Sequence, residues 1–170
     1  GIYAGAADLQ IAATCEWRDG DAYKIHWPQL PDLGSTGADV RMSLVCLADD
    51  FKCTATGPIN DIHLWGSFAQ DVLPQGGPGS LIFEFSIYSD VPAGAGGWSM
   101  PGQLLWARTF HPGQYSVRLV HDGPEDWYDA QTGLYLPGDH RRAYQYNFCI
   151  QSEPGYRNCT DMLVCGRPVN

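Results

Sequence analysis

Residues 81–88 read Leu81-Ile82-Phe83-Glu84-Phe85-Ser86-Ile87-Tyr88. In an extended chain Leu81, Phe83, Phe85 and Ile87 share one side, and Ile82, Glu84, Ser86 and Tyr88 share the other. One apolar face and one mixed face is the pattern of a sandwich strand. Residues 142–150 follow the same rule, with Ala143, Gln145, Asn147 and Cys149 opposite Tyr144, Tyr146, Phe148 and Ile150. Outward from these two anchors, 59–68, 104–110 and 115–120 read as further strands, the last two joined by His111-Pro112-Gly113. Shorter strands are expected at 23–27, stopped by Pro28 and Pro31, at 42–47, and at Tyr135-Leu136. Residues 28–39 read as a loop, 54–58 as a turn and 91–102 as a Gly-rich excursion carrying Trp98. Residues 122–129 read as an acidic, aromatic loop. About seven to nine short strands at this spacing give an all-β fold, an antiparallel β-sandwich or jelly roll.

Composition agrees. A chain of 170 residues suits one domain with a substantial core. Apolar residues make up 44% and charged residues 17%, which excludes a disordered chain. Gly 20 and Pro 12, without a period, argue against both a helical bundle and collagen. The net charge is −9, with Lys24 and Lys52 as the lysines. A chain this acidic lacks the basic face that nucleic acid or an anionic membrane surface requires.

The six cysteines are Cys15, Cys46, Cys53, Cys149, Cys159 and Cys165. None forms a CxxC pair, so zinc-ribbon, thioredoxin-type and haem-attachment motifs are absent. Their even number points to disulfides and export. Several pairings remain open. The short closures Cys46–Cys53 and Cys159–Cys165 would leave Cys15 to meet Cys149. No signal peptide is visible, and Gly1 reads as a processed start. Asn158-Cys159-Thr160 is a glycosylation sequon. The expected organisation is an N-terminal arm at 1–13, a β-sandwich domain at 14–150 and a cysteine-pinned, turn-rich tail at 151–170.

No motif announces catalysis. His26, His63, His111, His121 and His140 are too far apart for two ligands from one element, and His63 reads as a structural histidine. No Gly-x-Ser-x-Gly elbow occurs. Glu84, Glu125, Asp126 and Asp129 could serve a glycosidase, but nothing singles out a pair. The chain is therefore read as a non-enzyme. Asp49-Asp50, between Cys46 and Cys53, admits two readings: a Ca²⁺ site, or a turn in which the carboxylates accept backbone N–H groups. Trp127 and Tyr128 are either a sugar-stacking surface or, for Trp127, a core plug.

Residues 47–67 read Leu-Ala-Asp-Asp-Phe-Lys-Cys-Thr-Ala-Thr-Gly-Pro-Ile-Asn-Asp-Ile-His-Leu-Trp-Gly-Ser. This series resembles an uncharacterised domain family of secreted and surface-attached prokaryotic proteins. There an Ala-Asp-Asp-Phe element leads through Gly-Pro-Ile to Asp-Ile-His-x-Trp-Gly-Ser. The segments 85–93, 99–102, 127–129 and 144–148 extend the resemblance over roughly residues 24–150. It implies an extracellular β-rich module without an established catalytic activity, and it supplies no active-site residues. The family pattern closes with another apolar strand, for which this chain has the segment Gly155-Tyr156-Arg157-Asn158-Cys159 and a short tail. A missing strand would leave an open edge.

Two functions follow as expectations. In the first, an extracellular structural module self-assembles as a filament or surface-layer subunit. Its charge-poor arm would be donated to a neighbour, with Ile2, Leu9 and Ile11 filling the acceptor groove. The second is a carbohydrate-binding module stacking sugars on Trp98, Trp127 and Tyr128. Either could carry Ca²⁺ at Asp49 and Asp50.

Overall fold

The computed structural model of the chain describes residues 15–23, 29–34, 38–42, 46–52, 59–94, 97–150 and 162–169; for 162–169 and Asp50 it describes the backbone alone. The strands are β1 Ala38–Val40, β2 Leu47–Phe51, β3 Asp61–Ser67, β4 Ile82–Val91, β5 Met100–Phe110, β6 Ser116–Asp129, β7 Leu134–Cys149 and β8 Met162–Val169. They form two four-stranded sheets, in the orders β1-β6-β7-β3 and β2-β8-β4-β5. The fold is the β-sandwich expected from the alternating strands.

The two sheets meet through the residues that the alternation marks as inward. Phe83 and Phe85 of β4 and Phe110 of β5 face Tyr144, Tyr146 and Phe148 of β7. Phe148 is at the centre. Its ring centroid lies 5.1 Å from Phe83, 4.8 Å from Phe85, 5.0 Å from Phe110 and 5.1 Å from Tyr115. Most of these pairs are edge-to-face, the arrangement aromatic quadrupoles favour. Burying each such ring contributes roughly 1.5–3 kcal/mol.

The opposite face of β7 is covered as well. Cys15 is disulfide-bonded to Cys149, as the leftover pairing suggests. The chain then lays Trp17 against His63 and Trp65 of β3. The Trp17 carbonyl accepts hydrogen bonds from Gln145 Nε2 at 2.9 Å and from an Arg118 guanidinium N–H at 3.2 Å. Gln145 and Asn147 are buried polar side chains; the Gln145 amide nitrogen is bonded, while its Oε1 has no hydrogen-bond partner among the described residues. His63 Nδ1 lies 2.8 Å from Asn147 Oδ1. Cys46 is also in a disulfide. Cys53, Cys159 and the Cys165 side chain lie outside the described residues, as do residues 24–27, the sequon, and Ile2, Leu9 and Ile11.

Four elements differ from the sequence reading. Residues 122–129 are not a loop but the second half of β6. There β6 and β7 run together as a long hairpin, closed by the Gly133 N–H donating to Asp129 O at 2.8 Å. Gly133 has φ +73°, which a side chain would oppose. Acidic residues belong in this ladder because Asp126 and Asp129 are held by local donors. Pro137 is tolerated because β3 borders β7 only from Ala143 onward. Second, Asp49-Asp50 belongs to β2, not to a turn. Third, the segment expected as a tail supplies β8, which pairs with both β2 and β4. The sandwich is therefore not short of its closing strand. Fourth, the sheets are not wholly antiparallel, because β1 pairs with β6 in parallel.

Candidate functional site

Beyond the aromatic core, the β6–β7 hairpin gathers ionisable side chains. Glu125 and His140 are paired across the ladder, which puts them on one face. Parallel pairing with β1 sets Asp39 opposite Trp127, two residues along β6 from Glu125. Glu125 is 2% exposed and His140 1%. His140 Nε2 lies 3.1 Å from Asp39 Oδ2 and 3.6 Å from Glu125 Oε2. The other oxygen of Glu125, Oε1, is 3.7 Å from His121 Nε2. Among the described residues Glu125 Oε1 has no hydrogen-bond partner, and neither does His140 Nδ1.

The surroundings hold these groups in place. Ser67 Oγ, at the end of β3, donates to Asp39 Oδ2. Behind His140, the Asp139 carboxylate stands 3.7 Å from Nδ1 and accepts the Gln70 N–H at 2.9 Å. Gly123 lies under the His121 ring, where a Cβ would collide with the imidazole. A tight turn at 69–71 clamps the same stretch of β7, with Asp71 accepting the N–H groups of Arg141 and Arg142.

Charge here is out of balance. Arg41 pairs with Asp129, Arg141 with Asp122 and Arg142 with Asp71. Among the described residues the ion-pair partners of Asp39 and Glu125 are histidines. Burial raises the Glu125 carboxyl above the ordinary carboxylate range, and the nearby Asp39 charge adds to the shift. Asp126, next along β6, is held below it by the Tyr135 hydroxyl and the Gly138 N–H. Two neighbouring carboxyls are thus driven in opposite directions. Asp39, Glu125 and His140 bring one donor atom each to within 4.8 Å of one another. One nitrogen and two oxygen donors could hold a divalent cation.

The sequence singled out other residues. Asp49 is exposed in β2, which belongs to the other sheet, away from this cluster. Trp127 and Tyr128 are consecutive in β6, so they face opposite ways and cannot form one stacking surface. Trp127 is half-buried and Tyr128 is exposed. Trp98 precedes β5 of the other sheet and is 88% exposed. Glu125 was noted only as a possible glycosidase carboxylate. Asp39 and His140, about a hundred residues apart, gave no spacing signal.

A family model for a domain of unknown function, DUF7901, matches residues 25–161. The chain belongs to the DUF7901 family. The DUF7901 match spans Asp39, His121, Glu125 and His140 together with Trp98. Cys15, the N-terminal arm and β8 lie outside the matched residues. No curated protein and no solved structure matches the chain.

Proposed function

We propose that this DUF7901 chain is an exported, non-enzymatic β-sandwich that assembles with copies of itself, the apolar arm 1–13 of one copy adding as a strand to β5 of the next. The observation that carries the reading is the apolar end of the β4–β5 hairpin. Val91, Trp98, Met100 and Leu104 are all exposed there, and Val91 pairs directly with Met100. Grouped exposed apolar side chains mark interaction surfaces. β5 is also the outer strand of its sheet among the described residues. Its stretch Trp106–Phe110 pairs with β4 in unbroken register, and an open edge of this kind accepts an added strand. The arm suits it, being poor in charge and longer than the 11-residue β5. The Cys15–Cys149 disulfide supports export, because such bonds persist in oxidising compartments.

The test is light scattering after size exclusion, with negative-stain microscopy, over a range of concentrations. The full chain is expected to form oligomers or fibres; deletion of residues 1–13, or Leu104→Lys, is expected to leave monomers. A monomer of 18.7 kDa at every concentration overturns the reading. So does assembly that survives the deletion.

The exposure of Trp98 favours one second reading, a carbohydrate-binding surface on the same hairpin end. It requires retention on an insoluble polysaccharide that Trp98→Ala abolishes while the fold persists.

A further inference from the structure

We infer that Asp39, Glu125 and His140 form a binding site for a divalent transition-metal ion of the zinc type, which fastens β1 onto the β6–β7 hairpin.

Geometry supports it first. Ligands about 2.0–2.1 Å from a tetrahedral zinc ion stand about 3.3 Å from one another. The 3.1 Å and 3.6 Å separations from His140 Nε2 to the two carboxylates bracket that value. The second support is the burial of Glu125. A carboxylate 3% exposed, whose ion-pair partners among the described residues are the histidines His121 and His140, is costly unless a cation or a proton compensates it. No arginine or lysine is paired with it among the described residues, and a cation would supply what the arginines do not.

The third support is behind the histidine. To bind metal through Nε2, His140 must carry its proton on Nδ1, and the Asp139 carboxylate stands 3.7 Å from Nδ1, at ion-pair distance and not hydrogen-bonded to it. A carboxylate behind a ligating imidazole is the usual outer support of such sites. His121 is a positioning residue: it faces Glu125 Oε1 and leaves Oε2 turned towards His140. The donor set decides the class of ion. Calcium takes oxygen ligands in larger number, whereas an imidazole with carboxylates suits zinc and its neighbours. The Asp39 side chain is 35% exposed, which gives the ion a path from solvent and room for a water ligand.

The consequence is mechanical. β1 has three residues and a parallel pairing, a short hold on the sheet. An ion shared among β1, β6 and β7 would join all three.

The test uses the full chain, stripped with chelator, titrated calorimetrically with Zn²⁺ alone and followed by thermal melting. One Zn²⁺ per chain and a raised melting temperature are expected. Asp39→Asn removes a charge and changes little volume, and it should weaken binding about tenfold or more, a loss typical of perturbed sites. The metal-free melting temperature of that variant, with its far-UV circular dichroism, reports whether it still folds. Co²⁺ should give visible absorption bands in the parent that Asp39→Asn alters. Gly123→Ala, which crowds His121, should weaken binding without removing a ligand. Absence of Zn²⁺ binding overturns the proposal. So does binding unchanged in a folded Asp39→Asn, or a response to Ca²⁺ with none to Zn²⁺.

Discussion

Replacing Phe148 by alanine tests the sandwich at its centre. The ring is fully buried and meets Phe83, Phe85 and Phe110 of the opposing sheet and Tyr115 beside β6. A buried Phe→Ala change costs about 3–5 kcal/mol, since transfer energy is lost and a cavity remains. Four aromatic partners packed around the ring leave little chance for collapse and favour the upper half of that range. With a urea slope of about 2 kcal/mol/M, the midpoint should fall by about 2 M. Phe148→Leu should cost less, about 1–1.5 kcal/mol. Leu134→Ala, on an exposed side chain at the start of β7, is the control and should stay within about 0.5 kcal/mol. Equilibrium urea unfolding with disulfides intact, read by fluorescence and circular dichroism together, measures all three. If Phe148→Ala costs no more than Leu134→Ala, the two sheets do not close on this ring.

Cys15→Ser with Cys149→Ser opens a closure of 134 residues, for which chain entropy sets a ceiling of about 5 kcal/mol. A loss of about 2–5 kcal/mol in urea unfolding is expected, with a shift in tryptophan emission as Trp17 leaves His63 and Trp65; unchanged stability would contradict the cross-link. Burial raises the Asp71 carboxyl, but the Arg142 and Arg141 N–H groups and the Arg142 guanidinium outweigh it and hold the carboxyl below its ordinary value. Its contribution is therefore present above the unfolded-state value near 3.8 and is lost as pH falls through the lower folded-state value. Asp71→Ala should cost about 1–3 kcal/mol at neutral pH, and melting curves should show the gap from the parent closing in acid. Burial raises the Tyr146 and Tyr115 phenols above 10, so the unfolded chain loses those protons first and stability falls as pH rises beyond 10. In a spectrophotometric alkaline titration these two should ionise only as the protein unfolds; a smooth early titration of every tyrosine would refute their burial.

The sandwich was legible because its two central strands alternate cleanly. Phe83, Phe85 and Ile87 on β4, and Tyr144, Tyr146 and Phe148 on β7, become the buried faces. The same rule failed where the alternation is polar. Residues 122–129 carry carboxylates that the ladder buries, and acidic residues ordinarily signal a turn. β8 was hidden in a segment whose glycine, proline and cysteines resemble a tail, and its pairing with β2 and β4 is entirely long-range. The candidate metal site could not be found by spacing. Its residues come from β1, β6 and β7, and what unites them is register, not sequence distance. Of the three, the sequence offers Glu125 as a candidate carboxylate and His140 only as one of five widely spaced histidines. Asp49-Asp50 drew attention because adjacent acids look like a chelate, a likeness that a strand conformation does not preserve.

The position of β8 has a consequence for how the protein is made. It lies between β2 and β4, so among the described residues β2 has no neighbour in its sheet until residues 162–169 arrive. Among the described residues, the strands of the sheet β1-β6-β7-β3 all lie at or before residue 149, so it can form earlier. A chain emerging from a ribosome, N-terminus first, would thus carry one finished sheet and one interrupted one. The second sheet is joined only when β8 is delivered. Premature termination before residue 162 would not trim a tail; it would leave β2 and β4 with bare backbone groups facing each other across a gap one strand wide.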